Sequence, residues 1–151
     1  MSEERLEKLE AHYRKLENAY VAAPVNAFYE PSMTVGEGKA VIRQAVRERH
    51  FHIAGAVHGS VYFKLLDDAA FFAVNSLVRD VFVLTASFNI YFMRPVNEGT
   101  LRAEGRVVSR STRLFIAESE LYDDRDRVIG RGSGTFMTSS IPLGPEIGYT
   151  L

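Results

Sequence analysis

The sequence has no cysteine. That absence removes disulfides, cysteine-based zinc sites and thiol nucleophiles together, and it fits a cytoplasmic protein. It also lacks an excess of either charge: 18 Lys and Arg stand against 19 Asp and Glu, for a formal net charge of −1. A nucleic-acid binder would carry a basic face, so no nucleic-acid partner is expected. No long uncharged apolar run is present. The apolar stretch around Phe71 is preceded by Lys64, Asp67 and Asp68, so no membrane span or membrane partner is expected. The opening Ser-Glu-Glu-Arg-Leu-Glu-Lys is too charged for an export signal. Repeats and low-complexity segments are missing too. What remains is a chain of 151 residues, 46% hydrophobic and 25% charged, enough for a single domain, 1–151, with a real core.

Residues 2–21 read as an amphipathic helix. Leu6, Leu9, Tyr13, Leu16 and Tyr20 recur at three- and four-residue steps. Ser2 suits the N-cap, and Glu3 and Glu4 suit the positive helix end. Pro24 ends the segment, and a linker with Pro31 follows. Residues 38–48 alternate loosely and predict a strand. Residues 58–78 carry apolar groups nearly all round a helix, the pattern of a helix buried on most sides. Strands are predicted at about 81–94, 100–110, 113–123 and 127–139. Turns fall at Arg94–Gly99 and Asp123–Arg127. Gly130, Gly132 and Gly134 share one face of the last strand, which predicts the close approach of something bulky, with the buried helix as the natural candidate. Pro142 and Pro145 mark an irregular tail, 141–151. Successive strands after one long helix predict an α+β domain.

Chemistry concentrates between His50 and Asp68. A glycine, Gly59, opens the buried helix, where unpaired N–H groups and the positive dipole end gather. A thioester carbonyl could direct its oxygen to the Gly59 N–H, as in an oxyanion hole. Asp67 and Asp68 are two carboxylates within an apolar helix, costly there unless paired or used. Lys64 can neutralise one of them, at i+3 or i+4. The carboxylate left over is poised as base or nucleophile. His50 and His52 would share a strand face, and with Asp67 they allow a metal reading, which is the weaker one; no metal is expected.

The segment resembles the hotdog-fold acyl-CoA thioesterases of the phenylacetate-degradation (PaaI-like) type. That family carries a His-Gly-Gly turn opening its central helix and an Asp nine positions after the His. Here His58-Gly59-Ser60 precedes Asp67 at that spacing. Tyr91-Phe92-Met93-Arg94-Pro95-Val96, Gly99 and Gly132-Ser133-Gly134-Thr135-Phe136 match further pieces in the same order. The likeness covers about residues 38–138.

The resemblance implies a hotdog fold: a long central helix packed on a curved antiparallel sheet, here with an extra N-terminal helix. It implies an acyl-CoA thioesterase that needs no cofactor and works as a homodimer or dimer of dimers. Asp67 would be the general base or nucleophile, and the Gly59 N–H would polarise the carbonyl. Thr85 takes the place of a Ser or Thr facing the site. His52 stands where many members have Asn, and Ser60 replaces the second glycine of the turn. His58 orders the turn. With Ser60, Arg94, Arg110 and Arg113 it makes up the expected substrate contacts, the last two toward the phosphates of coenzyme A. The alternative is a non-catalytic acyl-CoA-binding hotdog module, which needs the pocket but not the carboxylate.

Spacing adds one expectation. Gly59 and Asp67 lie eight residues apart, roughly 12 Å along a helix. One carbonyl needs its oxygen donor and its base within about 3 Å of the reacting atoms. A site shared between two chains across a two-fold axis meets that need.

Overall fold

The computed structural model describes all of residues 1–151. Helix α1 runs Glu3–Ala22 and α2 is a single turn, Asn26–Tyr29. Strands β1 (Ser32–Gly36) and β2 (Lys39–Ala45) come next, then the long helix α3 (Gly59–Asn75). Four strands complete the chain: β3 (Val81–Phe92), β4 (Thr100–Arg110), β5 (Leu114–Tyr122) and β6 (Val128–Pro142). They form one six-stranded sheet in the order β1-β2-β4-β5-β6-β3, and every pairing is antiparallel. The long helix lies across this sheet, as the α+β reading expects.

The helix is buried because its surface is apolar almost all round. Leu65, Leu66, Ala69, Ala70, Ala73 and Val74 are wholly buried. Each of the two leucines contributes roughly 1.5–3 kcal/mol by leaving water. The closest approach falls at Gly105 of β4, where a Cβ would stand 2.2 Å from the Ala69 carbonyl oxygen. Nearby, the Ser119 hydroxyl of β5 donates to the Leu66 carbonyl at 2.7 Å.

The β6 glycines make a different contact from the one expected. Gly130 does face the helix side chains Tyr62 and Leu66. Gly132 and Gly134 instead lie beneath the ring of Phe88 on neighbouring β3, where a Cβ would come within 2.4 Å of that ring. The bulky group is a cross-strand phenylalanine at two of the three positions.

Two other segments depart from expectation. The stretch that reads as a linker forms β1, whose Met33 and Val35 are buried in the core. Gly38, at φ 66°, makes the tight turn into β2 that a longer side chain would resist. The tail is more ordered than its prolines suggest: β6 extends to Pro142, and Tyr149 reaches back to α1. Its hydroxyl lies 2.7 Å from His12 Nδ1, while His12 Nε2 lies 2.9 Å from the Asn75 carbonyl at the end of α3. A carbonyl only accepts, so Nε2 carries the proton and Nδ1 accepts from the phenol. Burial lowers the His12 pKa, despite the hydrogen bonds at Asn75 and Ser76 that raise it. In α1 the buried stripe is His12, Tyr13, Leu16 and Tyr20, while Leu6 stays exposed.

Candidate active site

His58 is the N-cap of α3. Its Nδ1 accepts the Ser60 N–H at 2.9 Å and lies 2.8 Å from the Ser60 hydroxyl. That pair orders the turn, as expected of His58, and it gives Ser60 a local partner. The Gly59 N–H has no acceptor within the chain. Glycine also makes room here in a way the sequence did not reveal: a Cβ would come 2.8 Å from the ring of Phe92, which would have to turn aside. That ring is 59% exposed and covers the start of the helix.

A cleft of about 300 Å³ opens beside Gly59, lined also by His52, Tyr62, Phe92 and Arg94. His52 Nδ1 accepts the Ala54 N–H at 3.0 Å, which leaves Nε2 to carry a proton in the neutral ring. The Arg94 carbonyl accepts from the Tyr62 hydroxyl at 2.6 Å, fixing the Arg94 backbone against α3. Five of the predicted site residues, Gly59, His52, Arg94 and the adjacent His58 and Ser60, therefore gather at the helix start.

Asp67 and Thr85 form a second group. The Thr85 hydroxyl donates to Asp67 Oδ1 at 2.9 Å. Burial pushes the Asp67 carboxyl up to about 6; the Thr85 hydrogen bond opposes that, the Asp68 charge adds to it, and Lys64 opposes it. Its neighbour is neutralised instead. Asp68 Oδ2 accepts from Lys64 Nζ at 2.7 Å and from the Tyr20 hydroxyl at 2.7 Å. Lys64 Nζ also lies 5.0 Å and 4.7 Å from the ring centres of Tyr20 and Tyr29. One carboxylate is thus spoken for and Asp67 is left with a single neutral donor, the state a general base or nucleophile requires.

The pocket around Asp67 measures about 470 Å³ and shares no lining residue with the Gly59 cleft. Within one chain the two halves do not meet. Arg110 and Arg113, at the β4–β5 hairpin, line neither cavity and are exposed; a single chain does not bring them to the predicted contacts. The strand face proposed for His50 and His52 is not formed either. His50 ends a 3-10 turn, Glu48–His50, and its buried ring stacks on Tyr29, while His52 is exposed. No three His, Asp or Glu side chains converge in a metal-holding group.

Sequence reasoning missed Tyr20, Tyr29, Phe71, Phe72 and Phe82, which line the Asp67 pocket. Tyr20 was visible only as one apolar position of a helix stripe. Nothing in the spacing announced that α1 would wall the pocket.

The sheet order, the single helix laid across it and the carboxylate half-way along that helix define a hotdog domain. The chain belongs to the thioesterase superfamily, whose family model matches residues 54–129. A candidate esterase of Saccharolobus solfataricus is 30% identical over 67% of this chain and 67% of that protein. Another, from Mycobacterium tuberculosis, is 30% identical over 58% of this chain and 65% of its own length. Among solved structures, a thioesterase family protein from Silicibacter pomeroyi has a TM-score of 0.78 at 25% identity, covering 84% of this chain and 97% of that one. The E. coli PaaI protein of the phenylacetic acid degradation operon has a TM-score of 0.77 at 20% identity, covering 87% and 98%. No helix is long and apolar enough to cross a membrane.

Proposed function

We propose that the protein hydrolyses acyl-coenzyme A thioesters to a free acid and coenzyme A, with each site built by two chains. Membership of the thioesterase superfamily supports the reaction class. The observation that carries the reading is Asp67: half-buried, raised to about 6, and held only by Thr85 while its neighbour is tied to Lys64 and Tyr20. As a base, Asp67 takes a proton from water as the water oxygen bonds to the carbonyl carbon. The C–S bond then breaks, and the proton passes to the departing thiolate. The Gly59 N–H and the positive end of α3 stabilise the oxyanion between those steps.

Dimerisation follows from the same reading. Strand β3 is an edge, twelve residues long, with Leu84, Tyr91 and Phe92 exposed. Such an edge invites pairing with another strand. Antiparallel pairing of two β3 edges carries the Thr85 end of one chain toward the Phe92 end of the other, where Phe92 lies over Gly59. The Asp67 pocket of one chain then faces the Gly59 cleft of its partner. The test is coenzyme A release across short, long and aromatic acyl thioesters, by wild type and by Asp67→Asn. Turnover by the wild type alone is expected. Equal turnover by Asp67→Asn removes Asp67 from the reaction.

A further inference from the structure

The Asp67 pocket does not end at its own walls. A second, larger cavity of about 600 Å³ lies between the end of α1 and the C-terminal segment. Tyr20, Ala23, Phe72 and Phe82 line both cavities and so form their common boundary. Three members of that boundary are aromatic, and Ala23 is its one small residue. The outer cavity is lined by Leu16, Ala19 and Ala22 from α1 and by Ile141, Leu143 and Ile147 from the C-terminal segment. Ile141 and Ile147 are 42% and 38% exposed, so apolar surface is left open to solvent along this cavity. The only charged lining residue is the exposed Glu146, away from the boundary. The one buried hydroxyl at the boundary, that of Tyr20, is already engaged by Asp68.

We infer that this chamber takes the far end of an aliphatic acyl chain, which makes medium- and long-chain fatty acyl thioesters the preferred substrate class. The inference rests on the thioesterase reading given above. Polarity runs the right way for such a substrate. Asp67, Thr85 and the Lys64–Asp68 pair lie at the inner end, where a thioester needs polar groups. Beyond Phe72 and Phe82 the lining is hydrocarbon apart from Glu146, so a hydroxylated or charged acyl tail finds almost no partner there. Length is set by the helix. Phe72 lies five residues on from Asp67, roughly 7 Å along the axis, so a short acyl group held at Asp67 ends before the boundary. A longer one passes Ala23 and buries its last carbons in the outer chamber. Each cavity falls within the roughly 300–1,000 Å³ common to ligand pockets. Apart from Phe72 and Phe82 at the boundary, the walls of the outer chamber come from the helix and tail outside the segment matched by the family model, 54–129, so chain-length preference depends on those two segments.

The test compares kcat/KM for butyryl-, octanoyl- and dodecanoyl-coenzyme A. Each methylene buried is worth roughly fourfold in binding, so wild type should gain at least about tenfold from the shortest to the longest. Two variants act only on the outer chamber. Ala22→Trp fills it, and Ile141→Glu, at an exposed position that should fold normally, charges it. Each should erase most of the gain while leaving butyryl turnover as it was. A flat or falling wild-type series, or variants that keep the gain, would overturn the chamber's role. If wild type hydrolyses none of the three, the hydrolase reading fails separately. Dodecanoyl-coenzyme A binding by calorimetry then decides the chamber: weakening by both variants supports it, and unchanged binding overturns it.

Discussion

The Thr85 hydroxyl donates to Asp67 Oδ1 at 2.9 Å, and this one contact joins the central helix to the edge strand at the point where chemistry is proposed. It is also the only side-chain hydrogen bond Asp67 receives. Asp67→Ala should therefore remove most thioesterase activity and leave the fold intact, since no structural partner beyond Thr85 is lost. Circular dichroism and coenzyme A release, measured on the same sample, check both halves. Activity retained by Asp67→Ala but lost by Asp68→Ala would put the catalytic carboxylate one residue along.

The raised carboxyl sets a pH dependence. If Asp67 acts as a base or nucleophile it must be ionised, so kcat/KM should rise with pH through about 6 and level above it. The sign for stability is opposite. The folded state disfavours the charged form, so the penalty is absent below the ordinary value of 3.8 and fully present above about 6. Asp67→Asn should thus be more stable than wild type at pH 7, by roughly 1–2 kcal/mol after allowance for partial exposure, and the gain should vanish near pH 4. Thr85→Val removes the hydrogen bond that opposes the rise and should move the kinetic midpoint upward. A midpoint that stays put would separate Thr85 from the titration.

Asp68 should behave as a structural residue. Asp68→Ala leaves Lys64 Nζ, with a side chain only 13% exposed, without its carboxylate. Only the longer contact to the Tyr20 hydroxyl, at 3.2 Å, is left to it, and a largely buried donor that loses its main acceptor costs about 1–3 kcal/mol. Urea melts should show that loss, and the folded fraction should keep most of its turnover. Asp68→Asn, which can still accept from Tyr20, should lose less.

The domain was legible in the sequence because its strongest signals are local and periodic. The apolar-all-round segment became α3, and the four alternating segments after Asp80 became β3 to β6 within a few residues. The strand β1 was not legible, because five residues directly after Pro31 look like a linker until Lys39–Ala45 pairs with them. Gly105 shows the same limit, because its contact with Ala69 depends on which strand lies under the helix. In the candidate site, Gly59, Asp67 and Thr85 could be named from a resemblance. The Lys64–Asp68 pair is one of the two the spacing allowed, but the part of Tyr20 could not be read, because Tyr20 is 48 residues from Asp68 and nothing in their spacing links them.

Helix packing at Gly105 yields its own test. A Cβ there would sit 2.2 Å from the Ala69 oxygen and 2.6 Å from the Ala70 nitrogen, both backbone atoms that cannot swing away. Gly105→Ala should cost about 1–3 kcal/mol as an overpacked contact, and Gly105→Val more. Gly38→Ala, whose Cβ would meet nothing within 4 Å but which sits at φ 66°, should cost less than Gly105→Val. Thermal melts of the three variants rank the two effects, and equal losses would mean that α3 can shift off the strand.

The shared site is tested by complementation. Gly59 is the first residue of α3, the position where proline fits best, because the N–H it removes has no helical partner. Proline also asks the preceding residue to be extended, and His58 already is, at φ −64° and ψ 143°. The one obstacle is the Phe92 ring, which is 59% exposed and can turn aside. Gly59→Pro should therefore fold while losing the oxyanion donor, and turnover should drop on the order of 10²–10³-fold, as for loss of one such donor elsewhere. Asp67→Ala should be inactive for the opposite reason. In a mixed dimer, one of the two sites takes Gly59 from the Asp67→Ala chain and Asp67 from the Gly59→Pro chain, and both of those residues are intact. The other site carries both defects. Mixing the two inactive proteins under conditions that exchange subunits should thus restore up to about a quarter of wild-type activity, since half the dimers are mixed and each has one working site of two. Mixed dimers isolated with two affinity tags should reach about half. Tagged mixed dimers that stay inactive would place Gly59 and Asp67 in separate reactions, or in none.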